Sequence, residues 1–229
     1  MSNKRFPSLA CLITLNGDLR VLTSIALFAF LALGCKEHAP KGLARGAELF
    51  QSCASCHGEN GLGNRELKAP NIAGLHEKYI IKQLSNFKSG YRGLHHLDTE
   101  GQRMNPMARH IRTEQDMESL AIHIAQLKSV KPEPTPNFGG DSIKGKAHFA
   151  SCGACHGADG GGNTDMNSPS LLIGNDWYLF AQLKKFDHKI RGYSPSDTGG
   201  SIMINSVKVL NGDEQMMRDV VAYIMTLKK

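Results

Sequence analysis

The chain repeats itself after 99 residues, and this constrains its fold more than any other feature. When the sequence is shifted by that offset, SCASCHG falls on SCGACHG, Gly46 falls on Gly145 and Met104 falls on Met203, without a gap. One extra residue near Gly212 changes the offset to 100 for the final segment. Self-similarity at a fixed period indicates a duplicated structural unit. The chain therefore contains two copies of one module of roughly 90 residues.

The boundary between the two modules is marked by the segment SVKPEPTPNF at positions 129–138. Its three prolines exclude a helix and favour an extended spacer. The sequence therefore predicts a first domain at 42–130, a proline-rich linker at 131–138 and a second domain at 139–229.

Each module is predicted to be all-α, with three short helices. The first helix is expected over Leu43–Cys53 and, in the second copy, over Ile143–Cys152. Apolar residues recur at helical spacing in the other two helices, and no segment alternates as a strand would. These residues are Ile80, Leu84 and Phe87, repeated as Leu179, Leu183 and Phe186, and then Met117, Leu120, Ala121, Ile124 and Leu127, repeated as Met217, Val220, Val221, Ile224 and Leu227. Thr113 is the expected N-cap of the last helix in the first module. Modules this small commonly need a metal or cofactor at their centre.

One Cys-x-x-Cys-His motif occurs in each module, which is the attachment pattern of covalent haem. The six residues are Cys53, Cys56, His57, Cys152, Cys155 and His156. Two thiols bond to the vinyl groups on one porphyrin edge, and the adjacent histidine ligates the iron. A zinc ribbon would place its two Cys pairs about 15–20 residues apart, and a thioredoxin-like site needs a βαβ pattern. A pair of disulfides would need no histidine. The sequence therefore predicts two covalently bound haem c groups.

The sixth iron ligand decides what such a haem can do. Met104 and Met203 occupy equivalent positions, each 47 residues after its histidine. His/Met ligation saturates the iron and raises its reduction potential, which suits electron transfer. Each methionine could instead be an ordinary core residue. Met107 remains an alternative ligand in the first module, and His95, His96 and His110 leave bis-histidine ligation open there.

With these motifs the chain resembles the dihaem class I cytochromes c of the cytochrome c4 family. The resemblance covers about 185 residues and rests on CHGxxGxG, the following AP or SP pair, the QLxxF helix with its RG, the methionine and the last helix. It implies two cytochrome c domains that meet face to face about a pseudo-twofold axis. It also implies that the carbonyls of Pro70 and Pro169 accept a hydrogen bond from the proximal histidines.

The resemblance also assigns packing roles outside the haem ligands. It implies that a glycine and a phenylalanine of the first helix pack on the last helix of each module, and that a tyrosine and an arginine lie near the propionates. The residues concerned are Gly46, Phe50, Gly145 and Phe149, and then Tyr79, Arg92, Tyr178 and Arg191. Helix packing is the alternative role for the tyrosines. The last helix carries Tyr223 in the second module but His123 in the first, and the second methionine segment lacks the MxPM form. The two haems are therefore expected to differ in potential.

The function predicted from these residues is electron transport, without enzymatic activity. The expected partners are a donor and an acceptor protein, such as a quinol-oxidising complex, a terminal oxidase or a periplasmic dehydrogenase. The net charge of +6 is spread without a dense basic stripe, so no nucleic-acid partner is expected. Two alternatives remain open: a permanent cytochrome subunit of a dehydrogenase that oxidises sulfide, thiosulfate or an alcohol, and a small haem enzyme with one displaceable ligand.

Residues 1–34 are predicted to be a signal peptide. They end in an uncharged run of 14 residues, VLTSIALFAFLALG, which is shorter than the roughly 20 residues of a bilayer span. The ALGC ending resembles a lipobox, in which Cys35 would become the lipidated first residue. Plain cleavage and a retained anchor are the alternatives. Each of these outcomes predicts export to the periplasm.

Overall fold

A computed structural model of the chain describes residues 42–228, so the predicted signal peptide and Cys35 lie outside the described residues. Within that range the chain forms eight α-helices, one 3-10 helix and no strand. The helices are α1 (Leu43–His57), α2 (Glu77–Lys88), α3 (Thr99–His110), α4 (Glu114–Gln126), α5 (Ser142–His156), α6 (Asp176–Asp187), α7 (Thr198–Ser206), the 3-10 helix (Val207–Leu210) and α8 (Glu214–Ile224). None of the helices in the described part is long and apolar enough to cross a membrane.

The all-α architecture of two similar halves is confirmed, but each half has one helix more than predicted. The additional helices are α3 and α7, which contain the two candidate methionine ligands. Both begin at an aspartate that caps a backbone N–H three residues later: Asp98 accepts from Gly101 and Asp197 accepts from Gly200. The aspartate thus accepts from a backbone N–H that would otherwise be unpaired at the helix N-terminus. The weak apolar spacing of these segments does not predict these helices.

The first helix of each half is longer than predicted and includes the whole haem-attachment motif. Helix α1 ends at His57 and α5 ends at His156, so the motif forms the last turns of the helix. Gly58 and Gly157 follow with φ angles of 80° and 82°. Such positive φ values favour glycine, which therefore ends the helix directly after the histidine.

A close helix crossing forms the core of each half: α1 packs on α4, and α5 packs on α8. The crossings depend on two equivalent glycines. A Cβ atom on Gly46 would collide with the carbonyl oxygen of Ser119, and one on Gly145 would collide with that of Asp219. Thr113 caps α4 by accepting from the Asp116 N–H at 3.0 Å, as predicted. Beside the crossings, aromatic rings contact each other in two tilted pairs, Phe50 with His123 at 5.2 Å and Phe149 with Tyr223 at 5.3 Å between centroids.

The two halves meet through a reciprocal hydrogen-bond network. Each half supplies a tyrosine, a glutamine and an arginine: Tyr79, Gln83 and Arg92, and then Tyr178, Gln182 and Arg191. Each arginine donates to the glutamine of its own half at 2.7 Å and to the tyrosine and glutamine of the other half at 3.1–3.3 Å. Because every contact has its counterpart, the two halves are related by a pseudo-twofold axis.

Candidate haem sites

The proximal histidines are oriented by the backbone of a following loop. The Nδ1 atom of His57 lies 2.8 Å from the carbonyl oxygen of Pro70, and that of His156 lies 2.9 Å from the carbonyl of Pro169. A carbonyl only accepts, so Nδ1 carries the proton and Nε2 keeps its lone pair for a metal. Burial lowers the pKa of both imidazoles, although the carbonyl contact partly opposes it. The rings are therefore neutral at pH 7, as an iron ligand must be.

One glycine in each half shapes the loop so that the proline carbonyl reaches the histidine of the same half. Gly63 has a φ angle of 92°, and its N–H donates to the carbonyl of His57 at 2.8 Å. A Cβ atom there would lie 2.6 Å from the backbone nitrogen of Asn71. Gly162 repeats this arrangement with a φ angle of 90°. The GxG of each loop therefore serves to hold the histidine, and only glycine fits at this position.

A cavity of about 460 Å³ lies beside the first motif and is lined mainly by apolar side chains. Cys53, Cys56 and His57 lie on its wall, together with Met104 and Met107 from α3. The structure therefore brings the predicted thiols, the histidine and both candidate methionines to one space. Burial raises the pKa of the Cys53 thiol, so this thiol is protonated at neutral pH.

The second half places its predicted residues at the equivalent positions. Burial raises the pKa of the Cys152 thiol as it does that of Cys53. Met203 lies half-buried on α7. Position 206, the equivalent of Met107, is a serine. Since only Met104 has a methionine counterpart, the repeat favours Met104 over Met107 as the ligand common to both halves.

Buried polar atoms at the interface fit a haem with its carboxylates. The Nε atoms of Arg92 and Arg191 are buried and have no hydrogen-bond partner among residues 42–228. Unpaired buried donors are rare in proteins and indicate a missing acceptor. Propionate carboxylates at this interface would satisfy both donors. Together with the apolar cavity, the thiols and the neutral histidine, this donor set fits covalent haem in the first half. The second half repeats the thiols, the neutral histidine and the buried arginine donor.

Several interface residues were not predicted from the sequence. Gln83 and Gln182 recur at the 99-residue offset, so the repeat itself could have indicated them. Asn86 and Lys185 occupy one equivalent position but differ in type. Asn86 donates to Asp197 at 2.8 Å, and Lys185 contacts Asp98 at 2.6 Å, both across the interface. Contacts between halves leave no periodic signal in either half.

With this geometry established, comparison with known proteins settles the family. A family model described as cytochrome c matches residues 43–128 and 142–228. The chain belongs to the cytochrome c family.

Similar proteins include a thiosulfate dehydrogenase electron acceptor from Thiomonas intermedia, 31% identical over 69% of this chain and 72% of the relative. They also include cytochrome c4 from Azotobacter vinelandii, 25% identical over 82% of this chain and 92% of the relative. Among solved structures, reduced recombinant cytochrome c4 from Pseudomonas stutzeri matches with a TM-score of 0.66 and 24% identity. It covers 82% of this chain and all of its own. The cytochrome c4 resemblance is thus confirmed, and the chain is an electron carrier with two cytochrome c domains.

Proposed function

We propose that the protein carries electrons between two redox proteins outside the cytoplasm through two covalently attached haem c groups. Cys53, Cys56 and the equivalent pair Cys152 and Cys155 would form the thioether bonds. His57 and Met104 would ligate one iron, and His156 and Met203 the other. The observation that carries this proposal is the convergence of thiols, an oriented neutral histidine and methionine on one apolar cavity.

The residues around each site would keep the chemistry to electron exchange alone. When bound, the haem supplies one-electron exchange between ferrous and ferric iron. The proline carbonyl holds the histidine with Nε2 free for the iron. The methionine would be the second protein ligand, so the iron would have no place for a substrate. Apolar walls exclude water and, with a methionine ligand, favour a higher potential. Such a site needs no proton transfer or nucleophile.

The proposed location is the periplasm, with Cys35 as the first residue of the mature chain and as a possible lipid attachment site. The apolar run before Cys35 and the basic residues upstream of it support export. Mass spectrometry of the mature N-terminus would test this. Diacylation of Cys35 that is absent from the Cys35→Ala variant supports the lipoprotein form. An unmodified Cys35 at the mature N-terminus supports plain cleavage. A mature chain that retains residues 1–34 would contradict both.

A second candidate function is electron acceptance from a particular dehydrogenase. Two similar proteins, from Thiomonas intermedia and Stutzerimonas stutzeri, are named thiosulfate dehydrogenase electron acceptor. We therefore propose a thiosulfate-oxidising dehydrogenase as one electron donor. The direct test mixes the oxidised holoprotein with a thiosulfate dehydrogenase and thiosulfate and follows haem reduction by stopped flow. Fast reduction that depends on both enzyme and thiosulfate supports this donor, and reduction no faster than without enzyme overturns it.

The proposed haem sites are tested by expressing the chain with the haem-attachment machinery. The account predicts two haems per chain that remain bound after denaturation and acid extraction. Replacing both cysteines of one motif by alanine should leave one covalent haem. A preparation with both motifs intact and a single covalent haem would contradict the proposal.

A further inference from the structure

Equivalent positions around the two haem sites differ strongly in charge. The cavity of the first half is lined by five cationic side chains and two carboxylates, namely Arg65, Lys68, Arg92, Arg103, Lys185, Asp98 and Glu100. Shifted by 99 positions, the corresponding residues are Thr164, Asn167, Arg191, Ile202, Asn86, Asp197 and Gly199. The first site thus has an excess of positive charge, whereas the second set contains one cation and one carboxylate.

The best-buried difference is Lys185, which lies on α6 of the second half but reaches into the first. Its Nζ atom lies 2.6 Å from Asp98 Oδ1 and 2.6 Å from Glu100 Oε2, and its side chain is only 13% exposed. Burial alone would raise the pKa of Glu100, but Lys185 and Lys68 lower it to about 2. At neutral pH the Glu100 carboxylate is therefore ionised.

The counterpart in the second half lacks this cation. Asn86 is 1% exposed, and its amide donates to Asp197 Oδ1 at 2.8 Å. Asp197 is equally buried, and its Oδ2 atom has no hydrogen-bond partner within the described range. The nearby Arg191 does not alter the comparison, because Arg92 provides the same charge in the first half. A neutral amide therefore replaces an ammonium beside an equivalent buried carboxylate, and Gly199 replaces the second carboxylate, Glu100.

We propose that the first half holds the haem of higher reduction potential because of its surplus of cationic side chains, and Lys185 is the least exposed of those without a cationic counterpart in the second half. Reduction lowers the charge of the iron by one, so nearby positive charge stabilises the ferrous form. Partly buried charges act more strongly than exposed ones, which solvent screens. Lys185 is therefore the strongest single cation of the surplus. Glu100 offsets part of its charge, whereas the exposed Arg65, Lys68 and Arg103 add to the surplus.

A direction of internal electron transfer follows from this order of potentials. Transfer of one electron from the second half to the first is downhill: a ferrous centre is oxidised in the second half and a ferric centre is reduced in the first, and no bond is made or broken. The second half is then the entry side for electrons and the first half the exit side. This inference rests on the proposed function, since it requires one haem in each half.

The test is a spectroelectrochemical titration of the two-haem protein at about pH 8, where carboxylates stay ionised. Lys185→Met should lower the higher midpoint potential, and Asn86→Lys should raise the lower one. Both variants should therefore narrow the separation between the midpoints. The equilibrium constant for electron exchange between the haems should fall by a factor on the order of 3 to 10 in each. If the second half held the higher potential, both variants would instead widen the separation.

Two control variants separate this effect from a general change in charge. Lys184→Met removes a charge of the same sign from the preceding residue of α6, where Lys184 pairs with the exposed Glu214. It should leave the separation between the two midpoint potentials unchanged. Lys185→Arg keeps the charge and should retain the wild-type separation.

The outcomes distinguish this proposal from the one on which it rests. Two covalent haems with a widened or unchanged separation in both Lys185→Met and Asn86→Lys would overturn the order of potentials and leave the electron-carrier function intact. A protein that binds only one haem would overturn both proposals.

Discussion

At the scale of single residues, each haem site depends on a histidine whose orientation is set by one backbone carbonyl. The contacts of 2.8 Å and 2.9 Å to Pro70 and Pro169 fix the same ring nitrogen in both halves. The opposite ligand is less constrained, because Met104 and Met107 both line the first cavity. The ligand on that side is therefore the residue whose replacement is most informative.

Met104→Ala is expected to remove one of two methionine-to-iron charge-transfer bands from the oxidised spectrum, because the sulfur ligand is lost. The midpoint potential of the haem in the first half should also fall in this variant, since methionine ligation raises the potential. Met107→Ala, the matched control on the same helix, should keep both bands, as the serine at position 206 implies. The opposite pattern, with the band lost in Met107→Ala alone, would make Met107 the ligand.

At the scale of helices, the two crossings are held by glycines rather than by large side chains. Gly145→Ala should destabilise the folded protein by roughly 1–3 kcal/mol, because its Cβ meets the backbone of α8 and the helices must separate. Gly199→Ala is the control: it lies in a helix with open space around it and should be neutral or stabilising by up to about 1 kcal/mol. Guanidinium unfolding of the holoproteins measures both. Equal effects of the two changes would contradict the packing argument.

How far the sequence predicts the helices depends on where their signals lie. The last helix of each half was predictable because its apolar face repeats at helical spacing and Thr113 precedes it. Helices α3 and α7 were not, since they are held by an aspartate cap and by packing on neighbouring helices. In α3, Pro106 also argues against a helix. The cysteines and histidines were singled out by the spacing of haem attachment and the methionines by their repetition, and the structure brings those of the first half to one cavity.

At the scale of the whole molecule, the interface between the halves combines a symmetric network with one asymmetric ion pair. The tyrosine, glutamine and arginine contacts are reciprocal, whereas Lys185 faces two carboxylates and Asn86 faces one. The residues of the symmetric network recur at the 99-residue offset, so the repeat could indicate them. Their contacts could not be predicted, because spacing within a repeat does not specify how two repeats meet.

The ion pair at the interface should make stability depend on pH in the acid range. The pKa of Glu100 is about 2 in the folded protein against an ordinary value of 4.5. Its stabilising contribution is therefore present above about pH 4.5 and is lost as the pH falls toward 2. Glu100→Gln should lower the free energy of unfolding at neutral pH and have little effect near the acid end of this range.

The control for this prediction is a double-mutant cycle with Lys185→Met, followed by denaturant unfolding across the same pH range. In the Lys185→Met background, Glu100→Gln should lower the free energy of unfolding at neutral pH by less than it does in the wild-type protein. An effect of Glu100→Gln that is independent of both pH and Lys185 would show that the ion pair does not cause it.

Two haems with closed histidine–methionine coordination have a characteristic absorption spectrum. We would record it on the holoprotein, oxidised and reduced, including the near-infrared region and with carbon monoxide added to the reduced form. The account predicts two covalent haems per chain, a methionine-to-iron band from each, and no response to carbon monoxide. A missing band, or a carbon monoxide shift at one haem, would contradict closed coordination at that site.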